Sequence, residues 1–397
     1  MGNLVPSQYV STLTDLISVP SFVGAESLLL PPLKEKLEKL RFRVTVQNSN
    51  PAAWHLDSQG SPPLLAEYGN PEFLVAYPPK ERDSGLLLFA HYDTERPSVD
   101  SQQPIQFFED ELKYFGHGIA DDKAGIAAIL LAVESLSSNA EVKLPAIVIA
   151  QAKHGGCYGM SEAIASLKNR TGAIYCHPAE SNQGFTQIKV ASRGIATFNV
   201  KLTGKLPLET EENTPASADP RFGKSALTLS ANFISEVDNW SDPDIVWLVS
   251  DISTAGRDFR VPEVCELRIS VWFRNLSLKE VETIVNSRFL KFCSDHEMST
   301  EHLPQIVGIR ANPAATTNEE FIENVKTAIT KHSGESVSEY DWHAASDIRF
   351  PLLHLEIPAV GFGCLAGGFY GGNEWVDKVS FHQFVEVVID LTKNYAR

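Results

Sequence analysis

The stretch GLLLFAHYD, residues 85–93, decides the fold. An unbroken apolar run that ends in polar residues predicts a strand buried on both faces, with its C-terminal end delivered to a site. Two further stretches share that form: PAIVIAQAK (145–153) and GAIYCHP (172–178). Between the first two lies DDKAGIAAILLAVESL (121–136), which predicts a helix of about four turns. Strand, helix, strand, helix, strand is the grammar of a parallel α/β sheet with crossovers. The polar tails of the three strands then share one edge, where open α/β sheets place ligands.

Outward from this centre the texture changes twice. Tyr9, Leu13, Leu16 and Ile17, then Leu33, Leu37 and Leu40, recur at helical spacing and predict two helices flanking VPSFVGAES. Residues 50–80 are rich in Pro and Gly, with one short strand expected around FLVAYPP. From about residue 185, QIKVASRGIATFNVKLTG, DIVWLVSDISTA and CELRISVWFRN alternate like half-exposed antiparallel strands, with helices SALTLSANFISEV and LSLKEVETIVNSRFLKFC among them. Past residue 305 the α/β pattern returns with IPAVGFG and the closing helix SFHQFVEVVIDLTKNY. The expected architecture is a mixed sheet flanked by helices (1–187 and 301–397) carrying an inserted α+β domain (188–300).

Composition narrows the function. The 397 residues carry 34 Lys+Arg against 50 Asp+Glu, a formal net charge of −16, with no dense basic patch. Such a balance repels phosphate backbones and anionic lipid, so neither nucleic acid nor membrane is an expected partner. No run of about 18 apolar residues is present to span a bilayer. The N-terminal stretch lacks the basic start and apolar core of a secretory signal, and Pro6 stands where a myristoylation motif wants Ser or Thr. Cys157, Cys176, Cys265, Cys293 and Cys364 are odd in number and show no CxxC pairing, which points to reduced thiols in the cytoplasm.

Chemistry-bearing residues gather where buried runs or glycine turns end. His91 and Asp93 are two apart at a strand terminus, so their side chains share a face. The carboxylate can then take one imidazole N–H, leaving the other nitrogen for a metal; a surface His with a nearby acid is the plainer alternative. Asp121, in GHGIADDKAG, opens the long helix, where it could be an N-cap. The glycines before it would equally let a metal or substrate approach the backbone.

Together HYDTERP and GHGIADDKAG resemble the co-catalytic zinc hydrolases that include acetylornithine deacetylase, succinyl-diaminopimelate desuccinylase, aminoacylase and glutamate carboxypeptidases. TGAIYCHPAES, DISTAGRDFRVPEVCELRISVWFR, HAASDIRFPLLHLEIPAVGFG and GGNEWV continue the resemblance along essentially the whole chain. The resemblance implies a zinc aminopeptidase-like catalytic domain with an inserted ferredoxin-like lid or dimerisation domain. It implies His91 as a metal ligand, Asp93 as its orienting acid and Asp121 as the carboxylate bridging two metals.

Five family positions depart from the pattern. In AQAKHGGCYGM the paired glutamates, base then ligand, are replaced by Lys153 and His154. His177, before Pro178, replaces a further acidic ligand, and Tyr370 in GGFYGGNEWV replaces the last ligand His. The lid histidine is also absent near Gly204-Lys205. With anionic ligands removed, a close pair of divalent ions loses its counter-charge. His91, Asp121, His154 and His177 would then hold one ion rather than two, zinc or another divalent transition metal, or none.

Lys153 cannot take a proton as a glutamate base does unless its pKa, ordinarily about 10.4, is depressed by burial beside a cation. Its alternatives are an exposed strand-end lysine, a carboxylate anchor or a built-in cation. Arg274 and Arg349 stand where the family recognises a substrate carboxylate, and either could instead be a structural ion pair. His343, Glu180 and Glu374 could supply a replacement ligand or base; His117 has no expected metal role, and Trp342 and Tyr370 read as packing, Tyr370 also lining the substrate site. The expected function is a metal-dependent hydrolase of an amide bond in an N-acyl amino acid or small peptide, with a carboxylate-bearing small-molecule substrate. The alternative is a non-hydrolytic relative, because base and ligand are lost together. A homodimer through the inserted domain is the expected assembly.

Overall fold

The computed structural model describes residues 4–22, 24–50, 72–96, 106–152, 158–178, 181, 183–205, 223–254, 261–298, 302–341, 346–369 and 373–395. In chain order its principal elements begin with α1 (Pro6–Ser18), α2 (Leu30–Lys39), β1 (Arg43–Asn48), β2 (Glu72–Tyr77) and β3 (Asp83–His91). Next come α3 (Ala124–Ser137), β4 (Leu144–Ala150), α4 (Tyr158–Ala165), β5 (Gly172–Cys176) and β6 (Gln187–Lys189). Then follow β7 (Gly194–Thr203), α5 (Ala226–Asp238), β8 (Ile245–Thr254), β9 (Val264–Phe273), α6 (Leu278–Asp295) and β10 (Gln305–Ala311). The chain closes with α7 (Glu319–Ser333), β11 (Ser338–Tyr340), β12 (Ala359–Phe362) and α8 (Lys378–Asn394). These form two compact units: one runs up to Ser192 and resumes at Ala314, and the other holds Arg193–Pro313.

The first unit is built on a mixed sheet of order β1-β2-β4-β3-β5-β12-β6-β11. Its centre, β4-β3-β5-β12, is parallel throughout. Leu86, Leu87, Leu88, Phe89 and Ala90 of β3 are all fully buried, as the unbroken apolar run requires. Alternation then divides them between two cores. Leu86, Leu88 and Ala90 pack with residues of α1, α3 and α8, whereas Leu87 and Phe89 pack with Met160, Ala163 and Ile164 of α4. Between the sheet and α8, α3 is apolar on nearly every side, with Ile126, Ile129, Leu130 and Leu131 buried.

Register brings the strand ends together. His91 pairs with Ala150, and Phe89 with Tyr175, so β3, β4 and β5 finish side by side. The start of α3 comes close against that edge at a glycine. A Cβ on Gly125 would stand 1.8 Å from the Cys176 carbonyl oxygen and 2.4 Å from Asp122 Oδ1. Only a residue without a side chain permits that approach.

The second unit has the order β-α-β-β-α-β, and its sheet runs β8-β9-β7-β10 with every pair antiparallel. That is the ferredoxin-like arrangement. Leu267, Ile269, Val271 and Phe273 of β9 face Phe233 of α5 and Phe289 and Phe292 of α6 in its core. The start of α6 is fixed by a capping box in which Ser277 Oγ accepts the Glu280 N–H and Glu280 Oε2 accepts the Ser277 N–H.

Two strands sit where alternation alone does not place them. Gln187–Lys189, part of an alternating stretch, joins the large sheet, parallel to β11. Gln305–Ala311, where the α/β texture was expected to resume, completes the smaller sheet against β7. Short strands show similar alternation in either setting, so partner choice is a tertiary decision. Cys176, Cys265, Cys293 and Cys364 are free and buried; Cys157 lies outside the described residues. Among the described residues no helix is long and apolar enough to cross a membrane.

Candidate metal centre

Three buried side chains meet where β3 and β5 end and α3 begins. His91 Nε2 lies 2.7 Å from Asp121 Oδ1, and His177 Nε2 lies 3.0 Å from the same oxygen. Exposure is 2–3% for all three residues. One donor atom from each lies within 4.8 Å of the others, the spacing of a metal ligand set.

The outer edges of the two rings decide what can sit between them. His91 Nδ1 faces the Asp93 carbonyl oxygen at 3.1 Å and Asp93 Oδ1 at 3.3 Å. His177 Nδ1 faces the Pro178 carbonyl oxygen at 2.7 Å. Carbonyl and carboxylate oxygens only accept, so each Nδ1 carries the proton and each neutral Nε2 presents a bare lone pair. Two lone pairs and a carboxylate oxygen converge on one point, which requires a cation there, a proton or a metal ion. The donor set therefore fits a divalent transition metal held by His91, Asp121 and His177.

Electrostatics agree with that geometry. Burial alone would lower the His91 pKa, but the charge and hydrogen bond of Asp121, with the Asp93 contact, hold it well above its usual value. Burial pushes the Asp122 carboxyl well above the ordinary carboxylate range, with His91 opposing.

Backbone contacts lock the frame. Asp122 Oδ2 accepts the His91 N–H at 3.2 Å, and Asp93 Oδ1 accepts the Ala152 N–H at 2.9 Å. Gly363 passes so close to His177 that a Cβ there would lie 2.2 Å from its carbonyl oxygen. These contacts tie three strand ends and a helix start to a single cluster.

Residues 87–394 match the family described as Peptidase family M20/M25/M40. The chain belongs to that family. A probable carboxypeptidase of Trichophyton verrucosum is 26% identical over 179 residues, covering 43% of this chain and 35% of that protein. The chain spans between about a third and a half of the length of the curated relatives it matches. A Staphylococcus aureus tripeptidase shares the fold with a TM-score of 0.75 and 19% identity, over 100% of both chains. A Bacillus subtilis structure described as a dinuclear metal binding peptidase from M20 family has a TM-score of 0.61 and 12% identity, over 97% of both chains.

In this M20 chain the remaining sequence-derived positions fall in different places. Lys153, His154, Glu180, Trp342, His343 and Tyr370 lie outside the described residues. Glu374 is buried and its Oε2 accepts the Ala120 N–H at 3.3 Å, which places a carboxylate against the loop that carries Asp121. Arg349 is 1% exposed, 3.6 Å from Asp347 Oδ1, and stacks over the Phe350 ring. Arg274 belongs to the second unit, where its Nε donates to Asp244 Oδ1 at 3.0 Å. His117 is half-buried, and burial with the neighbouring Lys123 charge lowers its pKa to about 4.

Two groups escaped the sequence reading. Asp122 was overshadowed by Asp121, although both side chains are buried and both contact His91. Lys189 is 2% exposed, and its Nζ lies 3.3 Å from His177 Nδ1. A lysine in a short alternating strand gives no sequence signal that its side chain is buried.

Proposed function

We propose that this chain is a metal-dependent hydrolase of an amide bond in an N-acyl amino acid or small peptide. The observation that carries the reading is the convergence of His91 Nε2 and His177 Nε2 on Asp121 Oδ1, each ring held by an acceptor on its outer nitrogen. His91, Asp121 and His177 hold the ion, with His154 completing the set; a single zinc ion is the occupant we favour, since imidazole suits it. When bound, the metal supplies Lewis acidity that polarises a carbonyl oxygen. Asp93 orients His91 and fixes its tautomer. Membership of the M20 family and the peptidase descriptions of its relatives support the hydrolytic reading.

The substrate we propose carries a carboxylate, with Arg349 and Tyr370 as its recognition residues. The protein would act in the cytoplasm as a homodimer through the α+β unit. The test is elemental analysis of chain purified without chelator or affinity metal, followed by hydrolysis of a panel of N-acyl amino acids and dipeptides. Uptake of about one zinc per chain and turnover of at least one substrate, both abolished in His91→Ala, are the expected results. Failure to bind zinc or any other divalent transition metal would overturn the reading.

A further inference from the structure

Residues 19–22 follow α1 and touch both of the loops that carry His91 and Asp121. On one side the Thr94 N–H donates to the Ser21 carbonyl oxygen at 2.9 Å, and Phe22 and Thr94 form a parallel bridge. On the other side Lys123 Nζ donates to the Val19 carbonyl oxygen at 2.8 Å. Val19 is the C-cap of α1, where carbonyl groups lack helical partners. Ser21, Thr94 and Lys123 are each 1% exposed. The two loops also meet directly: a Cβ on Gly118 would lie 2.2 Å from Thr94 Cγ2 and 3.6 Å from Lys123 Cδ. The Lys123 N–H donates to the Gly118 carbonyl oxygen at 2.9 Å, and the Asp121 N–H to the same oxygen at 3.3 Å, so one turn carries both the ligand and the tether. Burial lowers the Lys123 pKa to about 7, and the Glu374 charge opposes that shift. Both forms of the amine keep an N–H for Val19, so the tether does not depend on charge.

We propose that residues 19–22 form a clasp, closed by Lys123 on one loop and Thr94 on the other, that holds His91 and Asp121 at ligating distance, with Lys123 a positioning residue for the metal centre. The inference rests on the metal-centre reading above. His91 reaches the site from a strand end and Asp121 from a glycine-led turn, so their spacing depends on what joins the two loops. Metal ligation tolerates a displacement of only about 0.2 Å, so a tether that lets the Asp121 turn drift costs affinity before it costs the fold. Coupling of this kind is reciprocal: the factor that zinc loses when the clasp opens is the factor by which bound zinc holds the clasp closed. A lysine that only supported the core would show no such exchange between zinc and the clasp.

The test pairs a competition titration of zinc against a chromogenic chelator with native-state hydrogen exchange, on full-length wild type and on Lys123→Met. Two amides are compared: that of Thr94, held by Ser21, and that of Ala173, held at 2.9 Å by the Pro358 carbonyl oxygen at the opposite end of β5. Lys123→Met is expected to weaken zinc binding by about 10–100-fold. In the same variant the Thr94 amide should exchange at least about tenfold faster than in wild type, with the Ala173 amide within about threefold. Zinc affinity within about threefold of wild type, or equal acceleration of both amides, would overturn the clasp and leave the metal reading standing. No zinc uptake by wild type would overturn both. If Lys123→Met fails to fold, judged by circular dichroism, wild type decides alone: zinc must slow exchange at Thr94 at least about tenfold more than at Ala173, and equal slowing overturns the clasp.

Discussion

Replacing Gly125 by alanine sets two physical effects against each other. Gly125 lies in the first turn of α3, and in a helix alanine is favoured over glycine by about 1 kcal/mol. Helix propensity therefore predicts a more stable protein. Packing predicts the opposite. The new Cβ would lie 1.8 Å from the Cys176 carbonyl oxygen, and a carbon–oxygen contact relaxes near 3.3 Å, so helix and strand must separate by roughly 1.5 Å. Both obstructing atoms belong to the frame of the site, one a backbone carbonyl and the other Asp122 Oδ1. Overpacking of this kind costs about 1–3 kcal/mol, and more where backbone must move. Taking the upper end of that range for a backbone clash, less the helix gain, the expected net loss is about 2 kcal/mol, a large share of the stability of an ordinary domain.

The separation also pulls Asp121, four residues before Gly125, from His177, one residue after Cys176. Metal ligation tolerates only about 0.2 Å of displacement. Gly125→Ala should therefore lose zinc affinity by at least about hundredfold even under conditions where it remains folded. Urea unfolding monitored by circular dichroism, paired with zinc titration on the same sample, measures both losses. A variant as stable as wild type with unchanged zinc affinity would refute the claim that close helix–strand approach builds the site.

Asp93→Ala should weaken zinc binding by about 10–100-fold without abolishing it, because the residue orients His91 and is not itself a proposed ligand; the zinc titration reads this directly. Zinc at 100 times its dissociation constant should stabilise wild type by about 2.7 kcal/mol, seen as a rise in Tm that His177→Ala does not show. Asp83 is desolvated, which alone would raise its pKa, but the two hydrogen bonds from Arg170 and the Gly85 N–H outweigh burial and hold it below the usual range. A depressed carboxylate contributes stability above its unfolded pKa and loses it as pH falls through the folded value. Asp83→Asn should thus cost about 2 kcal/mol at neutral pH and flatten the acid limb of the stability profile, measured by urea unfolding from pH 7 down to pH 3. Ser277→Ala removes the cap of α6 and should cost about 1 kcal/mol, followed through the tryptophan fluorescence of the second unit.

The legible parts of the fold were those with one physical interpretation. GLLLFAHYD could satisfy so many apolar side chains only as a strand buried on both faces, and AGIAAILLAVESL only as a helix between layers. The ambiguous parts were short: Gln187–Lys189 and Gln305–Ala311 alternate in a way that either sheet can accept, and pairing rather than pattern assigned them. In the site, His91, Asp93 and Asp121 were visible because strand end and helix start constrain where a polar residue can point. Asp122 and Lys189 were not, since nothing local distinguishes a buried charge from a solvated one.

The sequence by itself determined the periodicities and the three polar strand ends, because side-chain chemistry and spacing are properties of the chain alone. Only the tertiary structure decided that two imidazoles meet on a single oxygen of Asp121 and that Pro178 and Asp93 fix their outer nitrogens. Those facts depend on register between strands and on the depth to which α3 packs at Gly125. Register and depth are set by the burial of a whole core, and no short stretch of sequence encodes them.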